Sequence, residues 1–158
     1  MIKKMWMIGM LLVGTLAVAS TGAENSGRSL KKLDESHQIG ISFFTGTWAE
    51  ALEKAKDENK LIFLDAFASW CGPCKRMTAY TFTDDAVGTY FNEHFVNVKM
   101  DMEKHPEGSR LSSKFKLEAY PTLFFINSDE EVVHEALGYQ EPEALIKVGE
   151  TAFGKKDK

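Results

Sequence analysis

Cysteine is scarce in this chain: its 158 residues include two, Cys71 and Cys74, together with four histidines. A structural zinc site draws four Cys or His ligands at recognisable spacings. His37, His94, His105 and His134 form no close pair with one another, so the ligand count argues against zinc. Basic charge is also in deficit. Lys and Arg number 19 against 23 Asp and Glu, a formal charge of −4, whereas nucleic-acid binding relies on clustered Lys and Arg neutralising phosphates. A nucleic-acid partner is therefore not expected. A third absence is a long apolar run. The stretch from Met5 to Ala19 is shorter than the roughly 20 residues that span a bilayer, which argues against a permanent membrane anchor. No cysteine stands near its end, so an acylated lipoprotein anchor is unsupported. The chain has no internal repeat and no low-complexity linker.

What is present begins with Met1-Ile2-Lys3-Lys4, an apolar stretch, and then the small residues Ser20, Thr21, Gly22 and Ala23. This is a signal-peptide pattern, and cleavage after Ala23 is expected. Removing residues 1–23 takes away Lys3 and Lys4 and no acid, moving the formal charge from −4 to −6. The 135 residues left are the size of one ordinary domain. Residues 24–40 are polar and unpatterned and read as a flexible lead-in. The domain proper is expected over 41–154.

Within it, residues 41–44 are apolar enough for an edge strand. Thr47 and Glu50 match a capping box, opening a helix whose apolar Trp48, Ala51, Leu52 and Ala55 recur at helical spacing. Residues 61–67 are an apolar run interrupted by Asp65, as in a strand covered on both faces. Pro73 suits an early helical position, so a helix should start at the cysteines and run through Met77. Thr83, Asp84 and Asp85 read as a cap and first turn. Residues 95–100 and 122–126 read as strands, with a helix over 106–115 between them. A turn at 127–129 leads to a hairpin partner starting at 131, and a closing helix starts at Pro142. The order βαβαβαββα is that of an α/β protein with a central mixed sheet and helices on both faces.

The cysteines carry the chemistry. Export places them where disulfides persist, and the ordinary expectation there is a structural bridge. A bridge between Cys71 and Cys74 closes a very small loop, however, and the chain-entropy gain falls with loop size. The remaining readings are an inert bridge, half of a metal site, or a dithiol that is made and broken; the spacing favours the last. A thiolate, not a thiol, attacks disulfides. A helix start supplies unpaired N–H groups and a positive dipole end that stabilise such a thiolate on its first cysteine. Cys71 is then the nucleophile and Cys74 the resolving thiol, and two electrons exchange without metal or organic cofactor.

The segment Phe67-Ala68-Ser69-Trp70-Cys71-Gly72-Pro73-Cys74-Lys75 resembles the thioredoxin active-site segment, and Tyr120-Pro121-Thr122 resembles the cis-proline element of that family. The resemblance runs from about Trp48 to Phe153. It is strongest to an exported branch, through Glu58-Asn59-Lys60, Phe82-Thr83-Asp84 and Gly138-Tyr139. It implies the thioredoxin fold and a thiol–disulfide oxidoreductase. It also implies roles: Asp65, desolvated in its strand, exchanges a proton with Cys74, and Lys99 sits beside that acid. Pro121 is expected to be cis, with the Tyr120 backbone free to pair with an extended substrate. Trp70, Gly72, Pro73 and Gly138 are expected to form an apolar substrate-binding surface around Cys71, while Met77 packs in the core. Tyr120 departs from the small or β-branched residue frequent before that proline.

Gly72-Pro73 between the cysteines resembles the reducing members of the family, so the expected activity is reduction of protein disulfides. The expected partners are proteins bearing disulfides or thiols and a membrane electron relay. The alternatives are a disulfide oxidase or isomerase, and a non-enzymatic binding module.

Overall fold

The computed structural model describes residues 39–156. The expected signal peptide and all of the lead-in up to residue 38 lie outside the described residues. Five helices and four strands follow in order: α1 (Trp48–Asp57), β1 (Leu61–Phe67), α2 (Gly72–Arg76) continued by a π-helical turn (Met77–Thr81), α3 (Asp85–His94), β2 (Phe95–Asp101), α4 (Gly108–Phe115), β3 (Thr122–Ile126), β4 (Val132–Leu137) and α5 (Pro142–Phe153). The strands form one mixed sheet ordered β2-β1-β3-β4, with β1 parallel to β2 and antiparallel to β3. This is the thioredoxin fold. Among the described residues no helix is long and apolar enough to cross a membrane.

The elements arise where local chemistry asks for them. Thr47 and Glu50 form both halves of the capping box of α1, and Asp84 accepts from the N–H groups of Ala86 and Val87 to start α3. Strands β1 and β3 are buried along nearly their whole length because both faces are covered. On one face Trp48, Ala51 and Ala55 of α1 and Leu111 and Phe115 of α4 pack on Ile62, Leu64, Val96 and Phe124. On the other, Met77, Phe91 and Leu145 pack on Phe63, Phe95 and Phe125. Met77 is fully buried there, as expected.

Residues 41–44 are not a strand. Their backbone donors turn to three different partners: Ile41 N–H to Phe82 O, Ser42 N–H to the Asn92 side chain, and Phe44 N–H to Asn97 O. A single contact with β2 does not make a ladder, so the sheet has one strand fewer than the periodicity predicts. Gly40 is buried with φ +78°, and its carbonyl accepts from Asn92 Nδ2 at 3.0 Å.

Candidate active site

Strand β1 delivers the chain to the cysteines, and Pro73 starts α2. Cys71 is the N-cap: its Sγ accepts from the Cys74 N–H at 3.2 Å, and its carbonyl from the Lys75 N–H at 3.2 Å. The two cysteines form a disulfide. Because Pro73 has no N–H and the first turn of a helix leaves its donors without partners, the amide nearest Cys71 is free to face sulfur. Both cysteines are 2 % exposed and cluster with Ala68, against which Phe67 and Tyr120 pack.

Trp70, 67 % exposed, and Gly72 and Pro73 are at the surface. Gly138 is half-buried, and Pro121 is buried. The Tyr120–Pro121 bond is cis, and the Pro121 carbonyl accepts from the Gly138 N–H at 2.8 Å. Gly138 has φ +84°, a region L side chains rarely occupy. Among the described residues neither the N–H nor the C=O of Tyr120 has a hydrogen-bond partner, which leaves this backbone available. The Tyr120 ring meets the Trp70 indole edge to face at 5.8 Å. Burial, and then Glu103 and Asp101, push its hydroxyl pKa up.

In β1, six residues before Cys71, Asp65 is completely buried. Its Oδ2 accepts from Lys99 Nζ at 2.5 Å, whereas Oδ1 has no partner. Burial raises its carboxyl pKa, and the Lys99 charge and hydrogen bond pull against that rise. The two residues face each other in the β1–β2 register. The Lys99 side chain, 21 % exposed, also lies over the rings of Phe67 and Phe82 at 4.5 and 5.0 Å.

Two residues of this region were not singled out from the sequence. Thr78 Oγ1 donates to the Cys74 carbonyl at 3.0 Å and accepts from Lys99 Nζ at 2.8 Å. Its position four residues after Cys74, on the same helix face, was a usable signal. Glu103 Oε2 accepts from Trp70 Nε1 at 2.9 Å; it follows β2 in an unpatterned loop, and nothing local marks it.

A disulfide at a helix start is equipped for thiol–disulfide exchange. Similarity to known proteins agrees with this chemistry. The family model Thioredox_DsbH, whose description is "protein of unknown function, DUF255", matches residues 41–145. Thioredoxin H4 of Arabidopsis thaliana is 38 % identical over 101 residues, 64 % of this chain and 79 % of that protein. The solution structure of a candidate disulphide-isomerase from Bacteroides thetaiotaomicron is 45 % identical, with a TM-score of 0.65 over 74 % of this chain and 96 % of that one. The oxidised DsbD C-terminal domain of Neisseria meningitidis is 28 % identical, with a TM-score of 0.57 over 70 % and 99 %.

Proposed function

The chain belongs to the thioredoxin superfamily, in the Thioredox_DsbH family, and is a thioredoxin-like thiol–disulfide oxidoreductase; from that premise we propose that it works as an exported reductase of protein disulfides. The observation that carries the reading is Cys71 as the N-cap of α2, with its Sγ held at the Cys74 amide. A thiolate there is favoured by the free N–H groups of the first turn.

In the reduced protein the Cys71 thiolate attacks one sulfur of a substrate disulfide. The substrate S–S bond breaks as the mixed disulfide forms, and the departing substrate thiolate takes a proton from solvent. The Asp65 carboxylate then accepts the Cys74 proton, and the Cys74 thiolate attacks Cys71 Sγ. The Cys71–Cys74 bond forms, the mixed disulfide breaks, and the second substrate sulfur leaves as a thiolate. Two electrons have passed from the dithiol to the substrate. An extended substrate segment lies against the free Tyr120 backbone, beside Trp70, Gly72 and Pro73. Asp65 is the proton acceptor, Lys99 its counter-charge, and Pro121 and Gly138 shape the docking backbone.

Export rests on the pattern of residues 1–23, with the reducing equivalents supplied by a dithiol protein of a membrane electron relay. The direction of electron flow rests on Gly72-Pro73. Cys74→Ser should trap substrates on Cys71 as mixed disulfides, and absence of any trapped protein would overturn the enzymatic reading. Equilibration with the glutathione couple should leave the pair oxidised except at strongly reducing ratios. A pair that stays mostly reduced contradicts the reductase assignment. The likeness to a candidate disulphide-isomerase favours isomerisation as the second reading. Faster refolding of a scrambled disulfide protein than reduction of insulin would select it.

A further inference from the structure

Thr78 has no part in the steps above, yet it stands between two of their participants. It is the second residue of the π-helical turn after α2, where the Phe82 N–H reaches back to the Met77 carbonyl; such turns recur at functional sites. Its hydroxyl is directional at both ends, donating to the Cys74 carbonyl at 3.0 Å and accepting from Lys99 Nζ at 2.8 Å. With the 2.5 Å contact of Lys99 to Asp65, a continuous polar chain runs from the resolving cysteine's backbone to the buried carboxylate. Phe67, Ala68, Cys74, Thr78, Ala79 and Lys99 border a cavity of about 340 Å³, so this chain lies at a wall open to solvent.

We propose that Thr78 is a positioning residue for the exchange reaction: its hydroxyl holds the Lys99 ammonium against Asp65, keeping that carboxylate available as the proton acceptor for Cys74. The inference rests on the reading of Cys71 and Cys74 as the exchanging pair. Lys99 needs such a holder. Its side chain is one-fifth exposed, so an outward rotamer into water is open to it, and a lysine stem loses entropy when fixed. The rings of Phe67, Phe82 and Phe43, at 4.5, 5.0 and 5.8 Å, attract a cation without fixing its position. Besides Asp65, the hydroxyl is the directional acceptor.

Among the described residues, other charged groups at this end of the sheet include Lys75, which borders the cavity from α2, Asp101 of β2, whose Oδ1 is engaged by the Glu103 N–H, and Glu103, whose carboxylate is engaged by Trp70. Strand β3 opposes Asp65 with the apolar Leu123. Lys99 is therefore the cation in contact with Asp65, and its placement decides how far burial raises that carboxyl. If Lys99 swings outward, Asp65 holds its proton to higher pH and cannot accept one from Cys74.

The test is the pH profile of insulin reduction by the full mature chain, over roughly pH 5 to 9, for the wild type, Thr78→Val, Thr78→Ser and Lys99→Met, and for the double variant Thr78→Val/Lys99→Met. Thr78→Val should move the acid limb of kcat upward by roughly half a pH unit, the scale of one partly exposed hydrogen bond to a charged group, with KM unchanged. Thr78→Ser should return it. Lys99→Met should move it in the same direction, and adding Thr78→Val should move it no further. An unmoved limb in Thr78→Val, or an equal displacement on the Lys99→Met background, would overturn the proposal; should the valine variant fail to fold, Thr78→Ala reads the same limb. Failure of the wild type to reduce insulin at any pH would instead overturn the reductase reading.

Discussion

Asp65 and Lys99 are paired residues in the parallel β1–β2 register, and their side chains meet at 2.5 Å with one carboxylate oxygen of Asp65 left without a partner. This is an ion pair whose acid is completely buried and whose base still reaches water. The consequences differ for catalysis and for stability.

The Asp65 carboxyl titrates above its unfolded value because burial penalises its charge more than Lys99 compensates. The folded state therefore binds the extra proton more tightly than the unfolded chain, and this group's contribution to stability falls as pH rises from the ordinary carboxylate range toward the folded value. Asp65→Asn should be more stable than the wild type at neutral pH by about 1–2 kcal/mol. The difference should shrink as the pH is lowered toward about 4 and be gone below it. Turnover should fall in the same variant. Denaturant melts at several pH values check the first outcome and single-turnover reduction checks the second; a variant less stable at neutral pH would contradict the account.

Glu130 shows the opposite linkage. At the β3–β4 turn it accepts from Trp48 Nε1, Arg110 and Lys114, joining α1, α4 and the hairpin, and these partners hold its carboxyl down at about 2. Its stabilisation is complete above the unfolded carboxylate value and is lost as pH falls toward the folded one. Because Arg110 and Lys114 are well exposed, solvent screening limits the effect. Glu130→Gln should cost about 1 kcal/mol at neutral pH and nothing near pH 2. Thermal melts at the two pH values measure this.

Trp70 is the most exposed large group beside the disulfide, and Glu103 and Tyr120 hold its indole in place. Exposed aromatics of fixed orientation dominate binding surfaces. Trp70→Ala should raise KM for a protein disulfide about tenfold, while thermal stability shifts by no more than about 0.5 kcal/mol. Equal kinetics toward insulin in variant and wild type would remove Trp70 from the docking surface.

Gly88 lies in α3 directly against the backbone of Gly40. A Cβ built there would stand 2.3 Å from the Gly40 carbonyl oxygen, a distance no side-chain rotamer relieves. Gly88→Ala should destabilise the domain by about 1–3 kcal/mol and speed amide exchange in residues 41–44, leaving the chemistry at Cys71 intact. Hydrogen exchange reads the effect directly.

Much of the molecule was legible in its residues. The capping box at Thr47, the cap at Asp84, the strand over Thr122–Ile126 and the helix from Pro142 follow from periodicity and short-range hydrogen bonding, and the structure has each of them. Residues 41–44 show where such reading stops. Their apolar character predicts a strand, but a strand exists through a neighbour's ladder, and Asn92 and Phe82 compete for the same donors.

By itself the sequence determined the dithiol, its helix start through Pro73, an acid within an apolar strand and the strand-and-helix order around them. These depend on groups a few residues apart, whose geometry the covalent chain restricts. Tertiary structure alone decided that Glu103 reaches Trp70, that Thr78 meets Lys99 and that the Gly138 N–H donates to the Pro121 carbonyl. Each of these joins positions separated by a turn of the fold, and their approach is set by strand register and by how the helices pack on the sheet's two faces.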